Sequence, residues 1–153
     1  MQNELTYQSL GEFRKKFYAL NDATIDHIHI DLSGSRQQRR IIVTITTRNI
    51  EEEIKDQGES ILSHQHPLIW INLTLTFEGI LEMHIKQIRN YGLNVIDELS
   101  IDFFNGEIYV GLMSIKSSYT PADYQDQLQS PILMNIISQK CFWSVATISP
   151  TIT

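Results

Sequence analysis

Cysteine, proline and glycine are all scarce in this 153-residue chain, at one, four and seven residues. The lone cysteine, Cys141, excludes an intrachain disulfide and suits a reducing compartment. Basic charge is short too: 12 Lys and Arg stand against 18 Asp and Glu, a net charge of -6. That balance disfavours nonspecific binding to nucleic acid or anionic lipid, since both gain affinity by pairing phosphates with cations. A basic protein partner is favoured instead. No run reaches the roughly 20 apolar residues of a membrane span. Met1-Gln2-Asn3-Glu4 has neither the basic start nor the apolar stretch of an export signal. The expected location is the cytoplasm, with no nucleic acid and no membrane as partner.

What is present is a globular composition, 42% hydrophobic and 20% charged. A chain of this length buries about 70% of its unfolded surface without metals or disulfides. The organising stretch is Leu68 to Ile85. Ile69, Ile71, Leu73, Leu75 and Phe77 alternate with Asn72, Thr74 and Thr76, the period of a half-buried strand. Phe77-Glu78-Gly79 interrupts the run before Leu81, Met83 and Ile85 resume it, which predicts two strands meeting at a bend.

Leu10, Phe13, Phe17 and Leu20 share one helical face, predicting an amphipathic helix over about 8–19. Alternation then predicts strands around Ile25–Leu32 and Arg40–Arg48, joined by Ser33-Gly34-Ser35 and the arginines that follow. Residues 49–67 show no sustained period and read as a mobile connection with at most a short helical turn. A further strand is expected from Val95 to Phe104. Asn105-Gly106 is a strong hairpin signal, because a type I′ turn needs positive φ at both central residues. Thr120-Pro121 reads as a helix start. Ile132, Leu133, Ile136 and Ile137 suggest another helical turn or a plug, making a helical insert over about 120–138, before a last strand at 141–148.

Candidate chemistry is sparse. His27, His29 and Asp31 fall on one strand face and offer two imidazoles and a carboxylate to a divalent metal, with His64 and His66 as additional ligands. The same alternation places polar side chains on any strand's wet face, so the pattern alone does not define a site. Cys141 sits among apolar neighbours, where a thiol is a small hydrophobe with a raised pKa. No Gly-x-Ser-x-Gly elbow, phosphate-cradling glycine loop or Cys-x-x-Cys occurs. No cofactor and no catalytic residue is therefore expected. Glu51-Glu52-Glu53 reads as a solvated acidic run. Trp70 and Trp143 read as core packing ahead of interface anchors.

Three pieces in order resemble the bacterial immunity protein 50 family of polymorphic toxin systems. They are Asn21-Asp22-Ala23 with the strand to Leu32, Asn72 to Ile80 with Asn94-Val95-Ile96 and Leu99-Ser100-Ile101 behind it, and Cys141 to Pro150. Asn21 stands where the pattern has histidine, and 49–67 does not match. The resemblance implies a non-enzymatic single-domain protein that neutralises a cognate toxin by tight binding. The expected fold is α+β: a curved, mainly antiparallel sheet of about seven strands with two peripheral helices. The alternative functions are a metal-binding protein or metal-dependent enzyme built on His27, His29 and Asp31, and a self-associating module, a homodimer, pairing through an exposed strand edge.

Overall fold

A computed structural model describes residues 1–57, 68–85, 95–96, 98–113 and 132–147. Its elements are β1 (Asn3–Glu4), α1 (Leu10–Lys16), β2 (Ala23–Asp31), β3 (Arg40–Arg48), α2 (Ile50–Gln57), β4 (Trp70–Ile85), β5 (Val95–Ile96), β6 (Glu98–Phe104), β7 (Glu107–Met113) and β8 (Ile132–Thr147). All strands pair antiparallel in one sheet of order β5-β2-β3-β4-β8-β7-β6, with β1 added to β8. The α+β expectation is met, and the sheet is curved and nearly closed.

Two features bend the sheet. First, β5 and β6 occupy opposite ends of the strand order, yet only residue 97 separates them in sequence. The predicted strand from Val95 to Phe104 is thus divided, its first part pairing with β2 and its second with β7. Second, β4 and β8 are 16-residue strands that bend together. Gly79 takes φ +66°, and the register shifts between Ile80 and Glu82. Phe77 and Ile80 both end up buried although they are of opposite parity. Cys141 and Ser138 do the same on β8. The expected pair of strands in Leu68–Ile85 is therefore one strand, because its partner turns with it and the ladder is not cut.

Below the bend, β4 pairs with β3, and the C-terminal half of β8 takes β1. Above it, the N-terminal half of β8 pairs with β7. Residues 132–138 are consequently strand, correcting the helical reading of that stretch; residues 120–131 lie outside the described residues. Met134 and Ile136 point inward and Ile137 is half-buried on the other face, so apolar side chains on both faces hide the period of two.

The core lies inside the curl. Ile41, Val43, Ile45, Leu73, Leu75 and Phe77 line its lower half, and Ile101, Val110, Leu112 and Ile136 its upper half. The predicted N-terminal helix is α1, running into a 3-10 turn at Tyr18–Leu20. It presses Phe13 and Phe17 onto Trp143, with ring centroids 6.0 and 5.3 Å away. Edge-on aromatic contacts of this kind add about 0.5–1.5 kcal/mol each to area burial. Asn105 and Gly106 both adopt positive φ, as the hairpin signal requires.

Candidate binding surface

The 49–57 stretch is ordered by chemistry that its acidic composition conceals. Asn49 caps α2, its side-chain oxygen accepting from the Glu52 backbone N–H at 3.2 Å. Glu53 does not belong to a solvated run: it is buried, and its carboxylate accepts two hydrogen bonds from Arg48, at 2.8 and 3.1 Å, and one from the Ile69 backbone N–H at 3.0 Å. Glu51 is exposed and pairs with Lys16 at 3.4 Å. Lys16 also lies 5.6 Å over the Trp143 ring. Together they border a groove of about 550 Å³ between the two helices, floored by Phe13, Ile50 and Trp143. Its lining carries two glutamates and two lysines, Glu12, Glu51, Lys15 and Lys16, which leaves the groove no net charge.

The histidine strand keeps its three candidate ligands apart from any larger cluster among the described residues. His27 and His29 are exposed on the outer face of β2, two residues apart and so projecting from the same side of the strand. Asp31 is turned to its own loop, Oδ1 accepting from the Ser33 hydroxyl at 2.6 Å and the Ser33 backbone N–H at 3.0 Å. These bonds hold its carboxyl below the usual range. Among the described residues, no three His, Cys, Asp or Glu side chains are grouped to hold a metal ion. His64 and His66 lie outside the described residues. Cys141 is fully buried, and desolvation pushes its thiol up, so it is no nucleophile.

Of the basic cluster at 36–40, Arg40 stands between two acidic residues. Across four strands the outer face carries the row Asp31, Arg40, Glu78, Lys140, alternating in sign at directly opposed positions. Opposite charges at facing positions keep Arg40 and Lys140 in an alternating row rather than an all-cationic one.

The outer face above the bend has a different character. One register row reads Asp102, Tyr109, Ile137, Glu82, and the next reads Ser100, Gly111, Asn135, His84. Phe104 and Glu107 close the row at the hairpin end. No lysine or arginine stands in these rows. The Tyr109 hydroxyl donates to Glu107 at 2.9 Å, and that carboxylate, with Glu82 nearby, pushes the phenol's pKa up. The face is therefore acidic around a tyrosine and isoleucine centre. At its end Phe104 is 64% exposed. Just beyond, Tyr7 is 74% exposed and meets Phe103 edge-on at 6.1 Å. These rings, with Glu4, Glu107 and Gln139, line a shallow cleft of about 290 Å³. Solvated aromatics beside acidic side chains are the composition of a recognition surface rather than of a reaction centre.

Sequence reading missed this corner. The signal was available: Phe104 is out of phase with Ile101 and Phe103, so alternation alone points it outward. Trp70, read as core, is 38% exposed, whereas Trp143 is packed as expected.

The class that fold and surface define is a curved antiparallel sheet with covering helices. No protein-family model matches the chain, nor does any curated protein or solved structure. No helix among the described residues is long and apolar enough to cross a membrane.

Proposed function

We propose that this is a non-enzymatic binding protein of the bacterial cytoplasm, an immunity protein that neutralises a cognate toxin by occluding it. The observation that supports this reading is the solvated aromatic corner of Tyr7 and Phe104 set beside the acidic face of Glu82, Asp102 and Glu107. Large aromatics anchor interfaces at low entropic cost, and a single-signed field speeds encounter with a partner of opposite sign. A basic toxin domain, such as a nuclease, fits that field. The resemblance of residues 21–32, 72–101 and 141–150 to an immunity family points the same way.

The test begins with any toxin domain encoded beside this gene. Coexpression is expected to protect cells from it, and the association rate of the purified pair to fall as salt rises. Phe104→Ala is expected to speed dissociation by about tenfold or more. A neighbouring toxin that kills equally with and without this protein would count against the reading.

A further inference from the structure

Two strands share one edge of β8 and leave a gap between them. β7 pairs along that edge as far as Ser138, opposite Ile108. β1 takes over with Glu4 opposite Phe142, and the Leu5 N–H bonds the Cys141 carbonyl at 2.8 Å. The cleft of about 290 Å³ fills the gap, walled by the end of β1, the β6–β7 hairpin and Gln139. It opens at the hairpin, about 20 Å along each strand from Glu98 and Met113, the far ends of β6 and β7.

Apart from Met1, Tyr7 and Phe104 are the most exposed large hydrophobic side chains among the described residues, at 74% and 64%. They come from opposite halves of the chain, yet both line this one cleft. Phe103 braces the Tyr7 ring edge-on, perpendicular to it with centroids 6.1 Å apart. The Tyr109 hydroxyl fixes Glu107 through Oε2 at 2.9 Å, and Oε1 is a second acceptor on the same carboxylate. Among the described residues, Glu4 and Glu107 line the cleft and no lysine or arginine does. Tyr7 and Glu107 are thus positioned before a ligand arrives, which lowers the ordering cost of binding.

We propose, on the reading of this corner as a recognition surface for a basic partner, that the cleft receives the guanidinium group of a partner arginine. An exposed ring face attracts a cation through its quadrupole, and a planar guanidinium stacks there with its N–H donors directed outward from its edge. Glu4, Glu107 and the Gln139 amide oxygen supply acceptors within the same walls. Other ligands use only part of this set. Lysine brings fewer donors on a strongly hydrated point charge and gains less from a ring face. A quaternary ammonium gains the ring contact but offers the carboxylates no donor. An aliphatic anchor covers the rings while taking water from two carboxylates, which costs free energy.

The probe is N-acetyl-arginine amide, titrated into the full chain and followed by the NMR resonances of the Tyr7 and Phe104 rings. Saturable shifts at both rings are expected, with a Kd of roughly 10 mM, the strength of a few exposed contacts. N-acetyl-lysine amide and tetramethylammonium are each expected to bind about threefold more weakly or worse. This comparison uses the wild-type protein and needs no variant to fold. Phe104→Leu keeps the apolar bulk and removes the ring face, and Glu107→Gln keeps the shape and removes the charge. Each is expected to lower the affinity for the arginine probe by about threefold, with the circular dichroism spectrum unchanged. No shift at Tyr7 and Phe104 up to about 100 mM probe, lysine or tetramethylammonium binding as tightly as arginine, or an affinity unchanged in both variants would overturn the proposal. No toxin enters the experiment, so its result is separate from that of the protection test: a protein that binds the arginine probe but fails to protect keeps this site and loses the immunity reading.

Discussion

Arg48 holds Glu53 with two parallel hydrogen bonds, and this one pair ties the end of β3 to α2 and, through the Ile69 backbone N–H, to the start of β4. Only 8% of the Glu53 side chain is exposed, against 23% for Arg48. Removing the carboxylate takes away three hydrogen bonds at once, two from the Arg48 guanidinium and one from the Ile69 backbone N–H. Glu53→Ala is expected to lower unfolding stability by about 3 kcal/mol, read from urea denaturation. A loss no larger than that of Glu51→Ala, whose ion pair is exposed, would show that the connection is not anchored here.

Gly79 is the pivot of the β4 bend. Its φ of +66° lies in the left-handed region, and a Cβ there would run into the Gln139 side chain on β8. Gly79→Ala is expected to cost about 1–2 kcal/mol from backbone strain alone. Glycine to alanine at exposed Gly11, within α1 with open space around it, is expected to stabilise slightly. Thermal melts of the two variants should therefore move in opposite directions.

Thr47 continues the inward row of Ile41, Val43 and Ile45, and its buried hydroxyl finds no partner among the described residues. Thr47→Val keeps the branched shape and removes the stranded polar atom. A gain of about 1 kcal/mol is expected by chemical denaturation; a loss would mean that the hydroxyl is satisfied in solution.

Cys141 gives a pH signature. Burial raises its thiol, so the folded chain retains a proton that the unfolded chain releases above a pKa of about 8.5. The unfolded state then binds fewer protons, and stability falls as pH rises, by about 1.4 kcal/mol per pH unit above that value. The contribution is fully present below pH 8. Cys141→Ala is expected to lack this component of the slope, so the stability difference between the two proteins should narrow steadily from pH 8.5 to 10. In the native wild type, alkylation by iodoacetamide should be slow until denaturant is added.

Much of the architecture was legible because β2, β3 and β7 keep hydrophobic side chains on one face and polar ones on the other. Asn105-Gly106 was legible because only a few residue types tolerate its backbone angles. The break at Gly79 was visible too, but a bend and an end look alike when the partner strand is unknown. Residues 132–138 deceived because Ile137 on the outer face and Ser138 on the inner one invert the usual pattern; Ser138 satisfies its hydroxyl locally, on the Lys140 carbonyl at 3.1 Å. Helix α2 was hidden for a related reason: the side chain that secures it inward is a carboxylate, Glu53, not a hydrocarbon. The aromatic corner was obscured because Tyr7 and Phe104 are far apart in the chain, and nothing local says that an N-terminal segment will end beside a hairpin. His27, His29 and Asp31 were correctly assigned to one face, but sharing a face did not bring them to a common point.

The central strand has a consequence for biosynthesis. β8 hydrogen-bonds to β1, β4 and β7, yet it is the latest of the described strands to leave the ribosome. Synthesis proceeds at about 5–20 residues per second. For several seconds the nascent protein therefore holds a β2-β3-β4 ribbon and a β6-β7 hairpin linked only through the short β5 on the edge of β2. A product cut short before residue 132 keeps both fragments and loses the element that unites them, which makes it a ready client for chaperones and proteases. Translation through β8 is thus a checkpoint written into the strand order.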